Sequence, residues 1–362
     1  MTIFLLLVAA LCFYKLRLPR PVLTGLNEHY LDFDRTTAMK GIFILLVFLT
    51  HVVGYIPVYP GPALLHEPYF WVQEKMEQGV VVMFLFYSGY GVMESIKKKG
   101  TAYVRAMPKN RVLRTLLHFD LAVLLYIALD AALGTLQEYS LREILLSFTG
   151  WEAVGNSNWY IFAVLILYLA TVLSFAVFGS RGKYIPAACA VTALAGVYIA
   201  VLFDIKGAWW YDTVLLYPLG MWFSLARPAL DRALQKHKWL WYVLFVLCTA
   251  IFLYVHYRRR DAFAFYVLKY LFMGLVVVFA TMKLDVCNAI LIFFGKHLFE
   301  MYILMRIPMM LLQRFGVTNV YAFVILSFAA TVLLAVGFKK LTGAIDKPLF
   351  AAKPAERPPA AP

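Results

Sequence analysis

Two ionisable side chains fall inside one apolar stretch, Lys40 and His51 in AMKGIFILLVFLTHVVGY, residues 38–55. They stand eleven residues apart, close to three helical turns. Both therefore share a helical face, about 16 Å apart along the axis. An ionisable group at membrane depth is costly, and such groups mark places where protons or substrates are handled. A histidine there can serve as a general base or as a nucleophile, because its unperturbed pKa lies near neutrality. The competing reading of His51 is a buried ring satisfied by a neighbour such as Thr50 or Tyr55. A second pair, Arg111 and Arg114, lies three residues apart at a membrane boundary, a spacing that can clamp an anionic group. Together these residues predict a passage with a charge at the mouth, Lys40, and a proton-handling group inside, His51.

The elements that must hold them are membrane helices. The 362 residues are 63% hydrophobic and only 15% charged, against about a quarter charged in soluble domains. The expected fold class is all-α, a polytopic transmembrane bundle of about ten core helices plus a short N-terminal anchor helix. The expected spans are roughly 1–16, 38–59, 79–93, 116–134, 158–178, 185–203, 208–226, 239–257, 264–282, 297–313 and 319–338. Lysines and arginines concentrate in alternate loops, which places the N-terminus outside and the C-terminus in the cytosol of a plasma-membrane protein. That bias accounts for most of the net charge of +14, so a nucleic-acid partner is excluded. The organisation expected is an anchor and linker over 1–34, a membrane domain over 35–340, and a cytosolic tail over 341–362 that is disordered at its end.

Other groups carry weaker signals. Cys12, Cys189, Cys248 and Cys287 form no CxxC pair, so neither a disulfide framework nor a metal site is expected. The remaining histidines lie in loops (His29, His66, His237) or at span ends (His118, His256, His297). Arg258, Arg259 and Arg260 gather in a loop expected outside, as a headgroup contact or an anion site. Trp151, Trp159, Trp209 and Trp210 gather on the same side, where an aromatic belt explains them and sugar stacking is the sharper alternative.

The order of elements goes further. The helix at 38–55, FLFYSGYGV at 84–92, RVLR at 111–114, NWYIFAVLILY at 158–168 and GKHLFEMYILMRIP at 295–308 together resemble the acyltransferase-3 family of integral membrane acyltransferases. The resemblance covers about residues 35–340. It implies transfer of an acyl group, often acetyl, from cytosolic acyl-CoA to a hydroxyl of a cell-surface glycan or its lipid-linked precursor, without a metal. His51 and Lys40 would be catalytic, and Arg111 and Arg114 would hold the donor. Ser88, Trp159, Tyr160, Glu300, Tyr302 and Arg306 are candidate substrate-binding residues, with Tyr87, Ser88 or Tyr302 as oxyanion partner. Lys40 stands where the family carries arginine, Thr37 where an acidic residue is common, and no histidine lies near Met305. The rival readings are a transporter or flippase that uses Lys269, Arg306 and the external arginines, and a non-catalytic relative.

Overall fold

A chain this apolar can satisfy its backbone inside a bilayer by coiling. The computed structural model describes residues 1–179, 183–258 and 262–350, and among these it has helices and no strand, with an isolated bridge between Arg17 and Asp285. Arg259, Arg260 and Asp261 of the loop arginine run, and the end of the tail, lie outside the described residues.

The helices follow in order. α1 (Thr2–Phe13) is shorter than a full crossing. α2 (Phe33–Val52) carries Lys40 and His51. α3 (Glu67–Met76) leads through a 3-10 turn into α4 (Val82–Lys99). α5 (Thr101–Met107) passes through a π turn at Pro108–Leu113 into α6 (Arg114–Leu133). After α7 (Leu141–Ser147) come α8 (Trp159–Phe178), α9 (Ile185–Leu202), α10 (Leu216–Lys236), α11 (Trp239–Arg258) and α12 (Phe263–Thr281). The last crossing but one is broken into α13 (Ala289–Lys296), α14 (Leu298–Leu304) and α15 (Arg306–Arg314), and α16 (Val320–Phe350) closes the chain. Among the described residues, eight helical stretches are long and apolar enough to cross a membrane. α10, with Arg227, Asp231, Arg232 and Lys236 in its second half, and the broken α13–α15 run complete the bundle around them.

Glycines weld the helices that frame the site. A Cβ on Gly89 would overlap the Tyr217 carbonyl, and one on Gly220 the Phe86 carbonyl, so α4 and α10 meet backbone to backbone. Gly41 against Leu291 and Gly295 against Thr37 join α2 to α13 in the same way. Lipid offers no hydrophobic drive between helices, so such close approach supplies the packing that holds them.

Several boundaries differ from the sequence reading. The late crossing starts at Ala289 rather than the expected 297, and α4 runs to Lys99, past the expected 93. Three further shifts bear on the site and its surroundings. α2 starts at Phe33, with Asp34 in its first turn favouring the helix dipole. Lys40 therefore lies about two turns inside rather than at the mouth, and His51 lies in the last turn rather than mid-helix. α10 starts at Leu216 instead of 208, because residues 203–215 fold into turns that bury Trp210, Tyr211 and Asp212. α16 runs through Phe350, past the expected end at 338.

Lys269, a charge within a span, has a structural partner. Its ammonium is fully buried, 2.9 Å from Glu77, whose carboxylate also accepts from Tyr266 and Tyr270. A buried charge that is paired and hydrogen-bonded needs no substrate to explain it.

Candidate active site

α2, α4, α8 and α10 enclose a cavity of about 730 Å³ that opens at the face bearing Lys97, Lys98, Lys99, Arg105, Lys109, Arg111 and Arg114, hereafter the basic face. Its walls include Ser95 at one end of α4 and Phe84 at the other. Eleven residues of helix separate these, so the cavity penetrates about 16 Å. Lys40 and Arg111 both line it, from α2 and from the π turn that tilts Arg111 inward. Ser88 faces it with its hydroxyl 2.9 Å from Tyr168 Oη, and Tyr87 presents a buried phenol with no hydrogen-bond partner.

The inner end is an aromatic wall. Phe84 packs edge-on to Phe43 and to Tyr160, at centroid distances of 6.4 and 6.0 Å, and Tyr160 packs on Tyr302 at 5.5 Å. Trp159 braces Tyr160 at right angles from the start of α8. Tyr302 sits one turn before Arg306, and Arg306 Nη2 lies 3.3 Å from His51 Nδ1. His51 is thus partly buried behind the wall and is not among the residues lining the cavity.

The break in the late helix serves this arrangement. Pro308 has no N–H, which interrupts the ladder between α14 and α15. Around the break Arg306 Nε and the hydroxyls of Tyr302 and Tyr126 are buried without hydrogen-bond partners. Unpaired buried donors are expensive, and a polar ligand reaching them would relieve that cost. An arginine N–H can only donate, so His51 Nδ1 is the acceptor in the contact, and a neutral ring then carries its proton on Nε2.

A second cavity, of about 660 Å³, lies at the basic face and is lined by both Arg111 and Arg114. It shares Arg111, Thr115 and Phe299 with the deep cavity, so the two adjoin. Arg114 lines only the outer one.

The structure therefore joins Lys40 to Arg111, Tyr160 to Tyr302 and Arg306 to His51, but keeps Lys40 and His51 apart. Glu300 is turned away from the cavity, paired with Lys339 at 3.4 Å. Lys206 sits over the faces of Trp151 and Trp210 at 4.3 and 4.7 Å, and so occupies platforms that a sugar would need. Arg227, Tyr126 and Asp346 emerge only from the fold. Arg227 lines the deep cavity from α10 and bonds Tyr90 Oη at 2.5 Å, which gives the cavity a third cation. All four cysteines are free, and no group of three metal-ligating side chains occurs among the described residues.

The model of the acyltransferase-3 domain, described as an acyltransferase domain, matches residues 28–340. The chain belongs to the acyltransferase-3 family. It is a multi-pass membrane protein with an acyltransferase domain over nearly its whole length. Comparison with curated proteins and with solved structures found no match. Within the acyltransferase-3 domain the two halves of the site come from segments far apart in sequence, α2 and the α14–α15 break.

Proposed function

We propose that this acyltransferase moves an acyl group, acetyl in the first instance, from cytosolic acyl-CoA to a hydroxyl of a cell-surface glycan or its lipid-linked precursor. The basic face is then cytosolic, and the protein sits in the plasma membrane with its N-terminus outside. The observation that carries the reading is a cation-lined cavity that ends on Tyr160, behind which Tyr302 packs, one helical turn before the Arg306 that meets His51.

The donor's phosphates would rest on Arg111 and Arg114, and its arm would run inward past Lys40 and Ser88 to the aromatic wall. Lys40 lies too far from His51 to share a proton with it, so its part is to hold negative charge along the arm. The acceptor hydroxyl would come from the opposite face, where α2 ends. It would take the place of Arg306 at His51 Nδ1 and give up its proton there as its oxygen attacks the thioester carbonyl. Arg306, released from the ring and with Nε unpaired, would turn to the developing oxyanion together with Tyr302. The thiolate leaves with a proton as free coenzyme A. In a relay, His51 would itself carry the acyl group between the two faces.

Mass spectrometry of surface glycans from cells with and without the protein tests this. Loss of O-acyl groups with the gene supports it, and unchanged acylation refutes it. Of the charges that a transporter would use, Lys269 is bound to Glu77, which weighs against that reading.

A further inference from the structure

The end of α16 reaches the outer cavity, where Phe350 forms part of the wall beside Arg114 and His118. Asp346 holds one carboxylate oxygen 2.9 Å from His118 Nε2 and the other 3.6 Å from Arg114 Nε. The second distance is an ion pair but too long for a hydrogen bond. Arg114 Nε remains a buried donor without a partner. One turn further, on the same side of the helix, Phe350 covers the Arg114 guanidinium at 4.6 Å and lies 5.8 Å from Lys109 Nζ. Arg114 is thus met by a carboxylate and an aromatic face, both supplied by the chain itself.

This end of α16 is poorly suited to being a fixed strut. Gly343 and Pro348 are the weakest helix formers, and both fall in its last turns. A side chain at Gly343 would meet nothing, so that face of the helix is open, while Thr342 beside it is buried. The firm anchor is one turn earlier, where Lys339 bonds the Lys296 carbonyl and pairs with Glu300. Beyond Lys339 the helix is held by its contacts with Arg114, His118 and Lys109 more than by its own propensity.

We propose that the end of α16 is an internal competitor at the donor site: Asp346 occupies the place of a donor phosphate on Arg114, and Phe350 covers its guanidinium. The inference rests on reading Arg111 and Arg114 as the donor-phosphate site. A phosphate brings more charge than one carboxylate and can make the hydrogen bond that Asp346 leaves unmade, so a polyphosphate nucleotide displaces the strap. The strap keeps Arg114 occupied when the donor is scarce.

The test is the affinity of full-length, detergent-solubilised protein for coenzyme A, compared among wild type, Asp346→Asn, Phe350→Ala and Arg114→Ala. Thermal midpoints check that each variant is folded. Asp346→Asn and Phe350→Ala should each bind coenzyme A about threefold tighter or more, the scale of a partly exposed ion pair, and Arg114→Ala should bind it more weakly. If Arg114→Ala weakens binding but the two strap variants bind as wild type or worse, the competitor is overturned and the donor site stands. If Arg114→Ala changes nothing, or if neither wild type nor Asp346→Asn binds, the donor-site reading fails and the competitor with it.

Discussion

Arg306 Nη2 and His51 Nδ1 meet at 3.3 Å across 255 residues of sequence. The contact joins the last turn of α2 to the break between α14 and α15, and it fixes the imidazole as an acceptor at Nδ1. A base that is already accepting a hydrogen bond must exchange that partner before it can take a proton from a hydroxyl. In the proposed mechanism Arg306 is therefore both the keeper of the resting tautomer and the cation that turns to the reacting carbonyl.

Arg306→Ala should lower kcat for acyl transfer about a hundredfold, the usual scale for removing one oxyanion donor, and change the donor KM little. Arg306→Lys should recover part of the loss, because it keeps the charge without the planar fork. Steady-state kinetics in proteoliposomes measures both, and a kcat within threefold of wild type for Arg306→Ala would remove the residue from the chemistry.

Arg111→Ala should raise the donor KM at least tenfold with a smaller change in kcat, since Arg111 lines both cavities. An effect confined to the acceptor KM would misplace the donor.

Gly295→Ala should separate α2 from α13, because its Cβ would strike the backbone carbonyl of Thr37 rather than a yielding side chain. Overpacking of this kind costs about 1–3 kcal/mol, so the thermal midpoint of purified protein should fall by several degrees. An unchanged midpoint would mean that the two helices do not meet as described.

Asp212, in the turn before α10, is pushed up to about 8 by burial and then by Glu77, with Lys269 opposing. The folded protein keeps a proton on this carboxyl that the unfolded chain releases from about pH 4 upward. Stability contributed by the site is therefore full below about pH 4, falls as pH rises towards 8, and levels off above that. Asp212→Asn should flatten this fall and gain more at pH 8 than at pH 5. Parallel melting curves for the two proteins across that range would contradict the protonated carboxyl.

Much of the frame was legible in the sequence. Apolar runs located the crossings, and the eleven-residue interval put Lys40 and His51 on one helix. The sequence also singled out Arg306 as a charge within a span. It could not show that its partner is His51, because pairing across 255 residues leaves no periodic trace. Arg227 reads as a boundary charge beside Pro228, and only the close approach of α10 to α4 turns it into the cavity. The extension of α16 was invisible for a related reason. The apolar run ends near 338, and the contact of Asp346 with His118, 228 residues away in sequence, lies in the helix beyond it. The start of α2 at Phe33 puts both key residues further along their helix without changing their spacing.

The most direct measurement is acyl transfer from labelled acyl-CoA to a hydroxyl acceptor by purified His51→Ala in proteoliposomes, beside wild type of equal thermal stability. The mechanism predicts no transfer above background with the donor still bound. Wild-type transfer rates in the variant would contradict it.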